Sequence, residues 1–207
     1  MTIIDISWPL CPKTTEYKNK GTIFFKSLKE FEQDGVRDSK ICLGTHTGTH
    51  VDAPAHFLKD GVSIEQVPLT SLIGPALVVD IPDGVDAITV YHLQQAPIQE
   101  NHIVLLRTRN SMCAPDARFN PEFVYLNADA AQYLADKKVK AVGIDYLGIE
   151  RGDPEHTTHT VLLSRNIPII EGLRLGHVQS GKYFFICLPL ALHGLEAAPA
   201  RAILTDY

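Results

Sequence analysis

Along the chain, apolar positions gather into seven short runs rich in branched side chains, at residues 3–6, 76–81, 103–107, 139–144, 167–170, 183–188 and 202–204. Runs of this length and composition predict strands. One segment has a helical period instead. It covers residues 128–137, with Asn127 placed to cap its first turn and Lys137 and Lys138 suited to the negative end of its dipole. Shorter helical turns are predicted after Ser63 and Thr89, since each is a capping residue at the head of a mixed stretch. The tract 110–121 holds Asn, Ser, Pro and Asp without a period and reads as a surface loop. Residues 11–38 also lack a period. They mix Phe24, Phe25 and Phe31 with eleven charged residues, which suits a hairpin or a flap over a site. The sum is a strand-rich α/β fold with mixed sheets.

Composition narrows the picture. At 207 residues the chain can fill one core but would leave two starved of apolar surface, so residues 1–207 are expected to form a single domain. With 45% hydrophobic and 21% charged residues, there is no compositional cause for disorder. A net charge of -5 argues against a general nucleic-acid binder, which needs surplus Lys and Arg, and favours a small-molecule partner. Cys11, Cys42, Cys113 and Cys187 show no metal or disulfide spacing. They read as free thiols of a reducing compartment, with Cys42 and Cys187 as core residues in strand-like surroundings. No basic leader and no apolar stretch of membrane-spanning length is present, so the expectation is a cytoplasmic protein without a membrane partner.

The densest chemistry lies between residues 46 and 56, where three of the nine histidines and one aspartate fall: His46, His50, Asp52 and His56. All four share one parity. On a straight strand, however, His46 and Asp52 would stand about 20 Å apart, too far to share an ion. The segment must therefore bend, and Gly48 and Pro54 supply pivots. A helix fits worse, because Thr45, Thr47, Thr49, Val51 and Pro54 oppose it. Imidazole and carboxylate together suit zinc or a similar divalent ion, and three protein ligands leave a position for water. A set of histidines satisfied only by hydrogen bonds is the alternative, and it gives four such groups no shared purpose.

This stretch resembles the HxGTHxDxPxHF signature of the cyclase or kynurenine formamidase family, matching it at every fixed position from His46 to Phe57. Further similarities follow in order: Ile4-Asp-Ile-Ser, Val142-Gly-Ile-Asp145, His159 followed by Ile-Pro-Ile-Ile-Glu171-Gly-Leu, Leu188-Pro-Leu, and the closing Pro199-Ala-Arg-Ala-Ile-Leu. The resemblance implies a swivelling β/β/α-type domain, an oligomer and a metal-dependent hydrolase. It implies His46, His50 and Asp52 as ligands of a first ion, with Asp52 bridging to a second. It further implies His56, His159 and Glu171 as ligands of that second ion or as catalytic groups beside it. From the residues alone, Glu171 closes an apolar strand, where a carboxylate is costly unless it is paired or metal-bound.

One or two divalent ions, zinc first and manganese second, would polarise a carbonyl and activate water, as amide hydrolysis requires. His56 or Glu171 would then move the proton to the leaving nitrogen; with both ions present His56 is occupied as a ligand. The family's best-known reaction converts N-formylkynurenine to kynurenine and formate in tryptophan catabolism. The formamidase type carries a Trp-Pro-Gly-Asp-like tract near its start, whereas this chain has Cys11-Pro-Lys-Thr-Thr-Glu-Tyr-Lys-Asn-Lys20. A different amide, a cyclic amide such as isatin or another cyclase-family substrate of polyketide type is therefore an alternative. A metal-binding or sensing protein without catalysis is a third reading.

Smaller expectations complete the set. Asp145 either buttresses a metal ligand from behind or satisfies loop amides. His156, three before His159, reads as a solvated loop histidine, or as part of the site if its segment is helical. His92, His102, His177 and His193 read as structural or exposed. Trp8 and the phenylalanines at 24, 25 and 31 are core residues or pocket walls. Assembly as a homodimer or homotetramer is expected, with residues 11–38 near the interface and the pocket.

Overall fold

The computed structural model describes residues 2–206. In chain order the strands are β1 (Ile3–Asp5), β2 (Phe24–Lys29), β3 (Asp38–Cys42), β4 (His50–Asp52), β5 (Ile73–Asp80), β6 (Ala87–Ile88), β7 (Ile103–Arg107), β8 (Tyr125–Leu126), β9 (Ala141–Ile144), β10 (Ile169–Glu171), β11 (Gly181–Pro189) and β12 (Ala197–Thr205). The helices are α1 (Phe31–Asp34), α2 (Val90–Gln94), α3 (Ala128–Asp136) and α4 (Thr157–Ser164). All seven apolar runs lie on or overlap strands of one large sheet.

That sheet closes. Its order is β12-β11-β5-β7-β9-β10-β4, and β4 pairs back onto β12 through Ala197–Pro199, making a seven-stranded barrel-like ring. β1 adds to the same side of β12 farther along, at Ile203–Thr205. β5, β7, β9 and β10 run parallel; the remaining pairings in the ring are antiparallel. The fold is thus a strand-rich, mixed α/β fold.

The central strands bury both faces, which is why they read as nearly continuous apolar runs. On one face Ala76, Val78, Ile103, Leu105 and Ala141 join Phe185, Cys187 and Leu204. On the other, Leu77, Val79, Val104, Leu106, Val142 and Ile144 pack against Leu134 of α3 and Leu162 of α4. Removing each such Leu or Ile side chain from water contributes about 1.5–3 kcal/mol, so the parallel strands anchor whatever stands at their ends.

Local signals account for the helices. Asn127 accepts the Ala130 N–H at 2.9 Å and starts α3, whose last helical residue is Asp136, with Lys137 as its C-cap. Thr89 and His92 form a capping box on α2, and Ser63 precedes a 3-10 turn at Ile64–Gln66. α4 has no sequence signal, since Thr157, Thr158 and Thr160 are poor helix formers and His156 is no cap. Its opening N–H groups are satisfied from the preceding loop, by Asp153 at Thr157 and by Glu150 at His159.

Three expectations need correction. Cys42 is exposed, because β2 and β3 form a separate two-stranded hairpin with solvent on both faces. Phe24, Phe25 and Phe31 are exposed on or beside this hairpin and are neither core nor pocket wall. The tract 110–121 is not uniformly a surface loop: it opens inside the 3-10 turn Arg109–Met112, where Asn110 and Ser111 are buried by hydrogen bonds to Val124 and Asp145. Among the described residues, no helix is long and apolar enough to cross a membrane.

Candidate metal centre

β4 is three residues long, and its register builds the centre. Strand alternation puts His50 and Asp52 on one face and Val51 on the other, where Val51 joins the core. Antiparallel pairing sets Glu171 of β10 directly across from His50, and Ile169 across from Asp52. β12 covers the other edge, with Pro199 opposite His50. The cluster is compact because the flanking chain turns, as its spacing demands. Gly48 takes φ 61° before the strand, and Pro54 opens a 3-10 turn, Pro54–His56, after it. His46 and His56 are thereby folded back until their rings lie 4.2 Å apart.

Four buried groups face one another. His50 Nε2 is 3.4 Å from Glu171 Oε2 and 3.6 Å from Asp52 Oδ1. His159 Nε2, brought in by α4, is 3.5 Å from Glu171 Oε1 and 3.8 Å from Asp52 Oδ2. Two ligands of a tetrahedral ion at 2.0–2.1 Å stand about 3.3–3.4 Å apart, so these separations match ligand spacing better than hydrogen bonding. His50 Nε2 and both oxygens of Asp52 are fully buried without an aligned hydrogen bond, the nearest donor being His46 Nδ1 at 2.9 Å from Asp52 Oδ1. Leaving three such atoms unsatisfied costs several kcal/mol, and a divalent cation would satisfy all of them. On the opposite nitrogen, His50 Nδ1 meets Gly48 O at 2.9 Å, which turns Nε2 toward the centre.

A second grouping shares Asp52. His46, Asp52 and His56 present ligand atoms within 4.8 Å of one another, as do His50, Asp52 and Glu171. His46 and His50 both approach Oδ1 of Asp52, while His159 approaches Oδ2. His46 Nδ1 is 2.9 Å from Asp52 Oδ1, and its Nε2 is 3.4 Å from Glu196 Oε1. Histidines thus face both oxygens of Asp52, the arrangement a bridging ligand requires.

The electrostatics follow from burial and charge. Burial alone would raise Glu171, but His159 and His50 hold its carboxyl far below the usual range. Burial would lower His50 and His159, yet Glu171 and Asp52, joined by Glu150 at His159, raise both, His159 to about 10. His56 goes the other way: burial pushes it down to about 4, so it is a neutral imidazole at pH 7.

Asp145 does not touch this centre. It accepts hydrogen bonds from Thr108 N, Thr108 Oγ1, Ser111 N and Ser111 Oγ at 2.6–3.2 Å, so it satisfies loop amides rather than buttressing a ligand. Burial raises its carboxyl to about 6. His92 and His102 serve local turns, and His177 and His193 are exposed. Trp8 is buried, with its ring edge on Tyr146.

A cavity of about 220 Å³ opens over His46, His56, His159 and Glu171, with Phe57 and Tyr17 in its walls and Lys20 at its edge. Tyr17 and Lys20 come from the tract 11–38, which in this part does reach the pocket. His156, half exposed, also lines it and contacts Glu150. Glu150 and Glu196 escaped sequence reasoning. The available signal for Glu150 was its spacing of six and nine residues from His156 and His159; Glu196 had none, because β12 is brought against β4 only by ring closure.

Comparison with known proteins agrees with this geometry. The family model named Cyclase matches residues 4–151. A kynurenine formamidase of Salinibacter ruber is 34% identical over 209 residues, covering 100% of this chain and 98% of the relative. A solved structure described as a potential metal-dependent hydrolase with cyclase activity is 42% identical, with a TM-score of 0.89 over 100% of this chain and 98% of the other. Isatin hydrolase A of Labrenzia aggregata, at 20% identity and a TM-score of 0.84 over 99% and 93% of the two chains, shares the fold.

Proposed function

Because the chain belongs to the cyclase family, we propose that it is a metal-dependent amide hydrolase of the arylformamidase type. The observation that carries this reading is the buried set His50, Asp52, Glu171 and His159, at ligand spacing and with unsatisfied atoms, beneath an aromatic-walled cavity. His46, His50, Asp52, His159 and Glu171 would hold one or two ions, zinc in the first instance and manganese as the alternative, with Asp52 shared. When bound, a divalent ion supplies Lewis acidity to a carbonyl oxygen and lowers the pKa of water.

The chain's own groups do the rest. Phe57 and Tyr17 offer apolar faces to an aryl ring. With a single ion bound, His56, neutral at pH 7 and open to the cavity, takes the proton of the attacking water. It then returns that proton to the aniline nitrogen as the carbon–nitrogen bond breaks, giving formate and the free amine. Glu171 stays ionised between two imidazoles and fixes both. N-formylkynurenine is the proposed substrate, which would place the enzyme in tryptophan catabolism. Isatin is the second reading, favoured by one observation: Tyr17 and Lys20, from the tract that departs from the formamidase pattern, line the cavity.

We also propose a homodimer or homotetramer. The β2–β3 hairpin exposes Phe24, Leu28 and Ile41 at 55%, 52% and 60%. An isolated two-stranded hairpin is marginal in water, so this one needs a cover. It carries Lys26, Lys29, Arg37 and Lys40 beside Glu30, Glu32, Asp34 and Asp38, a mixed pattern that a second copy related by a two-fold axis can complement. Assay of the purified protein against N-formylkynurenine, simple aryl formamides and isatin, with bound metal measured alongside, tests the function. Turnover of formamides by metal-loaded protein is expected; no turnover of any member, with metal retained, would leave a binding protein.

A further inference from the structure

Glu150 is a buried carboxylate that the ligand set does not use. Its Oε1 lies 2.9 Å from His159 Nδ1 and also contacts His156 Nδ1, while Oε2 accepts the backbone N–H of His159 at 3.3 Å. The two side-chain contacts are shorter than the about 3.3–3.4 Å between two ligands of one tetrahedral ion and lie in the range of directly paired groups. The other nitrogen of the same ring behaves differently: His159 Nε2 stands 3.5 Å from Glu171 and 3.8 Å from Asp52. The Glu150 carboxylate faces Nδ1 as an ion-pair partner at 2.9 Å, without hydrogen-bond alignment, and Nε2 is offered to the centre.

The pairing is itself braced. Ile149, next to Glu150, donates its N–H to Glu171 Oε1 at 2.7 Å, which ties this loop to the β10 carboxylate. Phe57 packs on the His159 ring with centroids 4.4 Å apart. Phe57 limits tilting of the ring, but an apolar face cannot choose between its two nitrogens. Glu150 can, because only the Nδ1 edge reaches it.

We infer that Glu150 is a positioning residue for the metal centre: it holds His159 with Nδ1 toward its own carboxylate and Nε2 toward Asp52 and Glu171, and thereby raises affinity for a divalent ion. The inference rests on the metal reading above. Carboxylates placed behind a ligating imidazole typically contribute 10–100-fold in metal affinity, roughly the effect expected here.

The test is zinc affinity of the full-length protein, measured by competition with a chromophoric chelator, for the wild type, Glu150→Ala and Glu150→Gln. The alanine variant should bind about 10–100-fold more weakly. The isosteric glutamine, which keeps an acceptor oxygen but loses the charge, should fall between it and the wild type. Glu150 also caps α4, and a capping role alone would lower the melting temperature of the metal-free variants without changing zinc affinity. If the alanine variant does not fold, the glutamine variant decides. Wild-type affinity in a folded Glu150 variant overturns the inference and leaves the metal site standing, whereas a wild type that binds no zinc overturns both.

Discussion

Replacing Gly172 by alanine should damage the metal centre without touching a ligand. Gly172 follows Glu171 at φ 68°, and a Cβ there would lie 2.1 Å from the carbonyl oxygen of Gly48 and 2.6 Å from its carbon. Those atoms belong to the turn that delivers His50, and Thr49 Oγ1 donates to Gly172 O at 2.6 Å, so the two segments cannot separate freely. Two costs add. A left-handed backbone costs an alanine roughly 1–2 kcal/mol. Ordinary contact needs about 3.2 Å, so the chains must part by roughly 1 Å, an overpacking cost of about 1–3 kcal/mol. The total is about 2–5 kcal/mol. Gly84→Ala is the control: φ is 87°, but nothing lies within 4 Å of its Cβ, so only the backbone cost applies. Urea denaturation of the two metal-free variants, followed by zinc titration, separates the terms. Gly172→Ala should be less stable than Gly84→Ala by about 1–3 kcal/mol and should lose zinc affinity, because His50 is displaced from Glu171. Equal stabilities and unchanged zinc affinity would refute the claim that this backbone contact sets the site.

Other outcomes follow from the same geometry. His50→Ala should strip most of the bound metal, and unchanged metal by elemental analysis would remove His50 from the ligand set. Glu171→Gln should lower kcat by about 100-fold or more, and wild-type activity would make it a structural charge. Asp145→Asn turns an amide N–H₂ against the donors of Thr108 and Ser111 and should cost about 2–4 kcal/mol in urea denaturation at pH 7. Because burial raises Asp145 to about 6, its protonation favours the fold below about pH 4, and that contribution is lost as pH rises through about 6. The Asn variant's deficit should therefore be greater at pH 4 than at pH 7, and a deficit that grows with pH would contradict the raised value. Light scattering should give a dimer or larger, and a mass of 22.9 kDa at all working concentrations would refute assembly.

What the sequence determined by itself is local and chemical. The strands that bury both faces announce themselves as branched apolar runs, because each position has a core to enter. Asn127 marks the start of α3 because a cap is a contact between neighbours in the chain. The density of His46, His50, Asp52 and His56 declared a metal, and the reach of a strand required the bends that Gly48 and Pro54 provide. The tertiary structure alone decided which of the candidate side chains meet. Glu171 stands opposite His50 through a register of β10 on β4, and His159 arrives on a helix whose first turn is satisfied by Asp153 and Glu150, four and nine residues before the N–H groups that they accept. Asp145 was as open to buttressing a ligand as to satisfying loop amides; what decides is that β9 ends against the Thr108–Ser111 turn, whose four donors claim its carboxylate. Cys42 looked buried because alternation predicts a strand but not whether a second layer covers it. Such contacts are set by the closure of the ring and the stacking of its layers, which join residues far apart in sequence and leave no periodic trace along the chain.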